Sequence, residues 1–401
     1  MYTYGAHAVT SILRKNEFNK EFTSGSVKSY DSNQLASNDP IEDTRSEAIC
    51  TLSPGILLAV FDGHGGPACA QVLSKRLFHY IAANLLPLET LDAFIKDDAR
   101  KELIEAFNDR SDIVGDLKAI YDDSFKKYAN KLLQEAINPL QVPEALERAI
   151  LNLDGPHLYV ANIGDCNAVL GALTEENDWH AKKLTKEHNT ENLAELKRIW
   201  SEHPESEKKT VIKRDRLLGE LAPLRSLGDY RYKWPVDILN KVAVPMLGER
   251  AIPQNYYTPP YLSAKPDVYY HRLTTKDKFL ILASDGLWDM ITPYQAVKLV
   301  GEHMQGKMFF NPLKLPRKNI PLSDINDLLL HRKERLKSKP KDRNAATHLL
   351  RHAVGGTEYG VDHSKLAHLL SLTPDVSRMF RDDITITVVY FDTEYLRQCP
   401  A

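Results

Sequence analysis

Short apolar runs recur along the chain, and several of them border an aspartate. The runs Gly55–Asp62, Leu158–Asp165 and Lys278–Asp285 each end at an aspartate, and Asp382–Phe391 begins with two. These runs are rich in Val, Ile, Leu and aromatic residues and alternate only partly between apolar and polar positions. Such a pattern predicts strands that are buried in a sheet.

Helical periodicity appears between these runs. Pro67–Leu86 carries apolar residues at i, i+4 spacing behind a proline suited to the first helical position, and Glu191–His203 has an apolar face. Strands and helices occur in clusters instead of alternating strictly. The pattern therefore favours an α+β sheet sandwich flanked by helices.

Composition and charge exclude several classes of protein. The chain has 401 residues, 43% of them hydrophobic and 26% charged, which is typical of a globular protein and too apolar for a disordered one. Its 52 Lys+Arg nearly balance 54 Asp+Glu, which argues against nucleic acid or an anionic membrane surface as the main partner. No apolar run approaches the roughly 18 residues of a membrane span, and the four cysteines lack metal-site or redox-motif spacing.

The chain divides into segments of different character. Residues 1–30 form an N-terminal segment without the apolar stretch of a secretory signal or the acid-poor composition of a mitochondrial presequence. Residues 31–395 read as a single domain with a helical, charged insert at about 303–381, followed by a tail at 396–401. Within the insert, His331–Arg343 carries seven Lys/Arg against two acids. We interpret this run as solvated, with a docking surface for an acidic partner as the alternative.

The candidate chemistry lies in the aspartates at strand ends. Asp62 is followed by Gly63-His64-Gly65-Gly66, a backbone flexible enough for a ligand to approach closely. One such aspartate is as often a turn former, but Asp62, Asp285 and Asp382, with Glu42-Asp43 upstream, form a set of oxygen donors suited to Mg²⁺ or Mn²⁺. A two-metal hydrolase is the natural hypothesis. A two-metal nuclease also suits the carboxylates but not the near-neutral charge.

Five ordered motifs resemble those of the metal-dependent Ser/Thr protein phosphatases, the type 2C class. They are Val60–Gly66, Asn162–Asp165, Arg225–Asp229, Ala283–Asp289 and Arg381–Thr385. Three further stretches are similar to the mitochondrial pyruvate dehydrogenase phosphatase branch of this family: Asp31–Asp43, Tyr256–Leu262 and Asn344–Val354. The resemblance implies two packed antiparallel β-sheets flanked by helices and a phosphatase activity that needs two Mg²⁺ or Mn²⁺ ions.

The resemblance also implies roles for individual residues. Asp62 would bridge the two metals and Gly63 would offer its carbonyl, and His64 would be the general acid that protonates the leaving serine oxygen. The remaining metal residues would be Asp285 and Asp382 as direct ligands, Glu42 and Asp43 through water, and Asp165 at a third, weaker ion. Asp229 could equally serve only as a turn that supports the site.

Two positions depart from the family pattern. Many members have an arginine that grips the substrate phosphate where this chain has Asn38, so phosphate affinity should depend more on the metals and on docking. The family also has a central strand before the segment that resumes at Leu158, and here Leu151–Asp154 runs directly into Gly155. We therefore expect one central strand to be missing near residue 155, with residues 143–153 helical. The alternative function is a catalytically impaired splice form or a binding protein that retains docking surfaces.

The same resemblance implies partners and a location. The substrate would be the phosphorylated α-subunit of pyruvate dehydrogenase in the mitochondrial matrix. Docking would use a lipoyl domain of the acetyltransferase core, aided by Ca²⁺ in some branch members, and a regulatory subunit is a further possible partner.

Overall fold

Two antiparallel sheets form the centre of the protein. The computed structural model describes residues 4–96, 102–107, 115–134, 151–310, 313 and 321–399. The strands of the two sheets are β1 Phe18–Glu21, β2 Val27–Leu35, β3 Thr44–Cys50, β4 Ile56–Phe61, β5 Ile104–Ala106, β6 Leu151–Asp154, β7 His157–Asn162, β8 Asn167–Leu173, β9 Trp179–Lys183, β10 Asp267–Arg272, β11 Asp277–Ala283 and β12 Ile384–Phe391. Within the described residues the first sheet has the order β1-β2-β12-β11-β8-β9 and the second β10-β7-β6-β4-β3-β5.

Helices cover the outer faces of both sheets. Helix α2 packs on β3 and β4 of the second sheet, with α3 and α4 beside it, whereas α6 and α8 pack on the first sheet, with α1 and α9 against α8. The longer helices are α1 Ala6–Arg14, α2 Ala68–Leu85, α3 Leu88–Lys96, α4 Gly115–Gln134, α5 Leu193–Glu202, α6 Pro293–Met304, α7 Leu322–Leu336, α8 Ala345–Gly355 and α9 His363–Leu370. The predicted α+β fold, two packed antiparallel sheets flanked by helices, is confirmed.

The core between the sheets comes from the apolar runs seen in the sequence. Leu58 of β4, Val160 of β7, Leu280 of β11 and Val389 of β12 are buried in one cluster between the two layers. Burial of such side chains contributes about 1.5–3 kcal/mol each. None of the helices in the described parts of the chain is long and apolar enough to cross a membrane.

The expectation of a missing central strand is wrong. Strand β6 lies between β4 and β7, pairing Ile56 with Leu153 and Asp154 with His157. The turn to β7 begins at Gly155 with φ +55, the left-handed conformation that glycine adopts without steric cost in a tight hairpin. The Asp154-Gly155 step between two alternating segments is a hairpin signal, and it outweighs the helix formers before it. Of the helix predicted at 143–153, residues 143–150 lie outside the described residues.

The region 303–381 is not uniformly solvated. Helix α7 carries the first part of the charged run and has no buried residue, but Asp342, near the end of the run, is buried and pairs with Arg351. Helix α8, in contrast, is buried along its whole length and belongs to the core on the first sheet. At the other end of the chain, Val9 and Leu13 of α1 are fully buried in that same core. The division at residues 31 and 395 stays a prediction.

Candidate metal centre

Carboxylates converge at one end of the two sheets. Asp62 follows β4, Asp285 follows β11, and Asp165 lies in the connection between β7 and β8. Because neighbouring strands are antiparallel, the end of one strand meets the start of the next at the same sheet edge. One oxygen from each of these three carboxylates lies within 4.8 Å of the others. The backbone amide of Asp285 also donates a hydrogen bond to Asp62 Oδ2 at 3.4 Å.

The electrostatics of this cluster favour a bound cation. Burial, followed by repulsion from neighbouring carboxylates, raises the pKa of Asp62 and raises that of Asp285 to about 9. Burial likewise raises the pKa of Asp165. These carboxylates cannot all be ionised together unless a cation balances their charge. They offer only oxygen donors, which fits Mg²⁺ or Mn²⁺ and does not fit a site selective for zinc.

The Glu42-Asp43 pair lies beside this cluster. The amide of Gly63 donates to Asp43 Oδ1 at 3.4 Å, and the amide of Gly66 donates to Glu42 Oε1. A Cβ atom at Gly63 would lie 2.2 Å from the backbone oxygen of Glu42. The two segments are therefore in direct backbone contact, and only glycine fits at position 63. Glu42 and Asp43 thus lie beside Gly63, and their role in holding metal-bound water stays a prediction.

Asp382 is held by the segment that contains Asn38. The Asn38 side chain donates to Asp382 Oδ1 at 3.4 Å and to Asp383 Oδ2 at 3.1 Å. Asp383, which sequence reasoning did not single out, accepts from the backbone amides of Ser37, Asn38 and Glu42. Asp383 is thus the anchor that joins the start of β12 to residues 37–42. Its position directly after Asp382 in a pair of aspartates was the available signal.

His64 forms an acid–base pair with Asp229. His64 Nε2 lies 2.8 Å from Asp229 Oδ2, and this hydrogen bond raises the pKa of His64. Asp229 also accepts from Ser226 Oγ at 2.6 Å and has φ +47. Lys233 Nζ donates to the carbonyls of Ser226 at 2.7 Å and Gly228 at 2.6 Å. The turn is therefore fixed from both sides, and Asp229 contacts the histidine directly.

A buried ion-pair network anchors the same turn to the second sheet. Arg225 donates from Nε to Glu195 Oε2 and from Nη1 to Asp267 Oδ1, both at 2.9 Å. Asp267 begins β10, and Glu195 lies in the first turn of α5. Removing one member of a buried pair costs about 3–5 kcal/mol. Arg225 therefore ties the orientation of the Asp229 turn to the sheet that carries Asp62.

Comparison with known proteins decides the family. The model of the family described as protein phosphatase 2C matches residues 45–318. The chain is 40% identical to the human mitochondrial pyruvate dehydrogenase (acetyl-transferring) phosphatase 1, over 96% of this chain and 82% of the relative. The chain belongs to the protein phosphatase 2C family. It is accordingly a metal-dependent Ser/Thr protein phosphatase.

Two further relatives extend the comparison. The human mitochondrial pyruvate dehydrogenase phosphatase 2 is 38% identical, over 92% of this chain and 79% of the relative. The Saccharomyces cerevisiae mitochondrial pyruvate dehydrogenase phosphatase 1 is 31% identical, over 90% of this chain and 68% of the relative. These relatives confirm the family resemblance, and membership of the family supports the metal dependence inferred from the carboxylates. The roles of the individual site residues stay predictions.

Sequence reasoning also missed Asp289. Its negative charge is among those that raise the pKa of Asp165 and Asp285. Its own amide donates to the carbonyl of Asp285 at 2.8 Å, closing one turn of helix. The spacing of four residues from Asp285, which places both on one side of a helical turn, was the signal that could have identified it.

Proposed function

We propose that this phosphatase removes phosphate from phosphoserine on the α-subunit of pyruvate dehydrogenase and thereby reactivates that enzyme. The observation that carries the proposal is 40% identity over nearly the whole chain to a mitochondrial phosphatase named for this substrate. The same similarity supports a location in the mitochondrial matrix. A lipoyl domain of the acetyltransferase core, a regulatory subunit and Ca²⁺ assistance in docking are proposed on the branch resemblance of Asp31–Asp43, Tyr256–Leu262 and Asn344–Val354.

The carboxylate cluster would hold two Mg²⁺ or Mn²⁺ ions, and a third more weakly. We assign Asp62 as the bridging ligand, with the Gly63 carbonyl beside it. The other assigned residues are Asp285 and Asp382 as direct ligands, Glu42 and Asp43 through water, and Asp165 at the third ion. When bound, such ions supply Lewis acidity that activates water for attack and neutralises charge on the phosphoryl group.

The residues of the chain itself supply proton transfer and orientation. The Nε2–H group of His64 donates a hydrogen bond to Asp229. The other ring nitrogen, Nδ1, is then left to protonate the leaving serine oxygen. Asp229 fixes the ring and favours its protonated form. Asn38 donates hydrogen bonds to Asp382 and Asp383 and so positions Asp382, the assigned metal ligand. It has no positive charge with which to bind the substrate phosphate. Phosphate binding then depends more on the metals and on docking.

The alternative of a catalytically impaired form depended on a missing strand. Strand β6 lies at that position, paired with β7 along its four residues and with β4 at Leu153, so a complete loss of the strand no longer supports impairment. We also propose that residues 31–395 act as one phosphatase domain, with the insert at 303–381 and the tail at 396–401; the segment 1–30 adds β1 and the start of β2 to its first sheet.

The test is phosphate release by the purified full chain from phosphorylated pyruvate dehydrogenase and from an unrelated phosphoserine protein, with Mn²⁺ and after its removal. We expect Mn²⁺-dependent release and a kcat/KM at least about tenfold higher on pyruvate dehydrogenase, equivalent to about 1.4 kcal/mol of discrimination. Equal rates on the two proteins would refute the substrate assignment. Full activity without any divalent ion would refute the metal-dependent chemistry.

A further inference from the structure

A cavity of about 370 Å³ lies beside the metal centre and belongs to none of the roles assigned so far. It is partly open to solvent and lies between the end of α1, residues 34–41 and residues 370–381. This volume is within the range of about 300–1,000 Å³ that small-molecule sites occupy. Two of its lining residues, Ser37 and Asn38, also bond Asp383, so the cavity shares a wall with the loop that positions Asp382.

The lining combines an apolar surface with two cations. The apolar side comes from Ile12, Leu370, Leu372 and Pro374, and the cations are Lys15 and Arg381. Asp39, which also lines the cavity, is exposed, so its charge is well solvated. The lining is about as polar as it is apolar, and apolar walls beside a few convergent polar groups are a common feature of ligand sites.

The charge of Arg381 is only partly compensated by its neighbours. Its guanidinium donates to the carbonyls of Ala36 at 2.6 Å, Asp382 at 3.3 Å and Leu35 at 3.5 Å. These carbonyl oxygens satisfy N–H groups but bring no negative charge, and the nearby carboxylates of Asp383 and Asp382 act on the guanidinium only through space. A carboxylate in the cavity would add a charge-assisted hydrogen bond, which is stronger than a bond to a neutral carbonyl.

We propose that this cavity binds a carboxylate group joined to an apolar body. The apolar part contacts Leu370 and Leu372, and the carboxylate lies between Lys15 and Arg381. Two sources can supply this chemistry: a free small carboxylate, or an acidic side chain that flanks the phosphoserine of the substrate. The second source rests on the proposed function, whereas the first does not.

The first arm measures the binding of a free carboxylate to the full chain by calorimetry in Mg²⁺ buffer. Benzoate is the probe, and benzamide is its uncharged counterpart. We expect saturable benzoate binding and at least about tenfold weaker benzamide binding, because only benzoate pairs with the cations. Lys15→Met should weaken benzoate about three- to fivefold, as loss of a partly exposed charge pair does. Leu372→Trp should abolish binding by filling the chamber, and Lys28→Met, an exposed lysine outside the cavity, should change nothing.

The second arm compares kcat/KM for phosphoserine peptides that carry Glu or Gln beside the phosphoserine. A preference for Glu that Lys15→Met removes and Lys28→Met retains assigns the cavity to the substrate. Benzoate binding without such a preference assigns it to a free carboxylate. Equal binding of benzoate and benzamide, or no effect of Lys15→Met in either arm, overturns the proposal. Failure to hydrolyse any peptide counts against the proposed function alone, since the benzoate arm still decides the cavity.

Discussion

Gly286 lies where two segments of the metal centre touch, and its replacement by alanine gives a sharp test of the site. A Cβ atom there would be 2.0 Å from the backbone oxygen of Asp383, whereas ordinary contact begins near 3.4 Å. Gly286→Ala must therefore separate the two backbones by the difference, about 1.4 Å. Gly286 belongs to the short helix Asp285–Trp288, so the change carries no conformational penalty of its own.

The expected cost has two parts. Overpacking of a tight contact costs about 1–3 kcal/mol, and the helical preference of alanine over glycine offsets up to about 1 kcal/mol, so the net loss of stability is about 0–2 kcal/mol when that offset is complete. Metal ligands must keep their distances within about 0.2 Å, so a shift of an ångström between Asp285 and Asp382 should weaken Mn²⁺ binding at least about tenfold. Urea unfolding measures the first quantity and calorimetric Mn²⁺ titration the second.

Gly301→Ala is the matched control. Its Cβ would lie 2.1 Å from the ring of Trp179, so the clash is comparable, but it falls between α6 and β9 on the outer face of the first sheet. We expect a similar loss of stability with unchanged Mn²⁺ affinity. If Gly286→Ala binds Mn²⁺ as tightly as the parent, or if Gly301→Ala loses as much affinity, the contact does not control the site and the reasoning fails.

The remaining predictions concern the acid, its support, the bridging ligand and a buried histidine. His64→Gln should slow hydrolysis of phosphoserine far more than that of an aryl phosphate, whose leaving group needs little protonation, and equal losses would indicate a structural role. Lys233→Met should show the same split, about tenfold on phosphoserine, because the turn that presents Asp229 loosens; Lys233→Arg should restore part of the rate. Asp62→Asn should abolish turnover and weaken Mn²⁺ binding in calorimetry, and unchanged metal-dependent hydrolysis would contradict its role. Burial lowers the pKa of His352 to about 4, so the unfolded chain takes up a proton below about pH 6.5 that the folded chain refuses until about pH 4. Stability should fall by up to about 3 kcal/mol across that window, and His352→Gln should flatten the slope of unfolding free energy against pH relative to the parent.

The strand ends that carry the site were predictable from sequence because a buried apolar strand is followed there directly by a carboxylate. A run such as Lys278–Asp285 is apolar on nearly every residue and then stops at a carboxylate, which places that carboxylate at a sheet edge whatever the rest of the fold does. The antiparallel pairing of β11 with β12 then brings Asp285 and Asp382 to the same end of the first sheet, and the second sheet packed against it brings Asp62 close to Asp285. The positions of these side chains therefore follow from local pattern together with strand pairing and the packing of the two sheets.

Residues that support the site from a distance could not be predicted in the same way. Asp383 anchors the amides of Ser37 and Asn38, about 345 positions earlier in the chain. Lys233 acts through carbonyls of its own turn, and nothing in its sequence neighbourhood distinguishes it from a solvated lysine. Such roles depend on which backbones the sheets bring together. A hydrophobic pattern predicts which face of a strand is buried, but it does not predict which distant backbone segments contact each other.

Strand β6 is a short element that the sequence prediction missed, although its neighbouring strands were predicted correctly. Helix formers precede it, and four residues are too few for periodicity to decide between helix and strand. The deciding signal was the Asp154-Gly155 step, because Asp-Gly between two alternating segments is a strong hairpin signal, and Gly155 indeed has positive φ. An unpaired edge in the middle of a sheet would also have been costly, so the fold itself requires a strand at this position. The cost of unpaired backbone in the middle of a sheet, which argued for an impaired protein, is therefore a reason to expect a strand at this position.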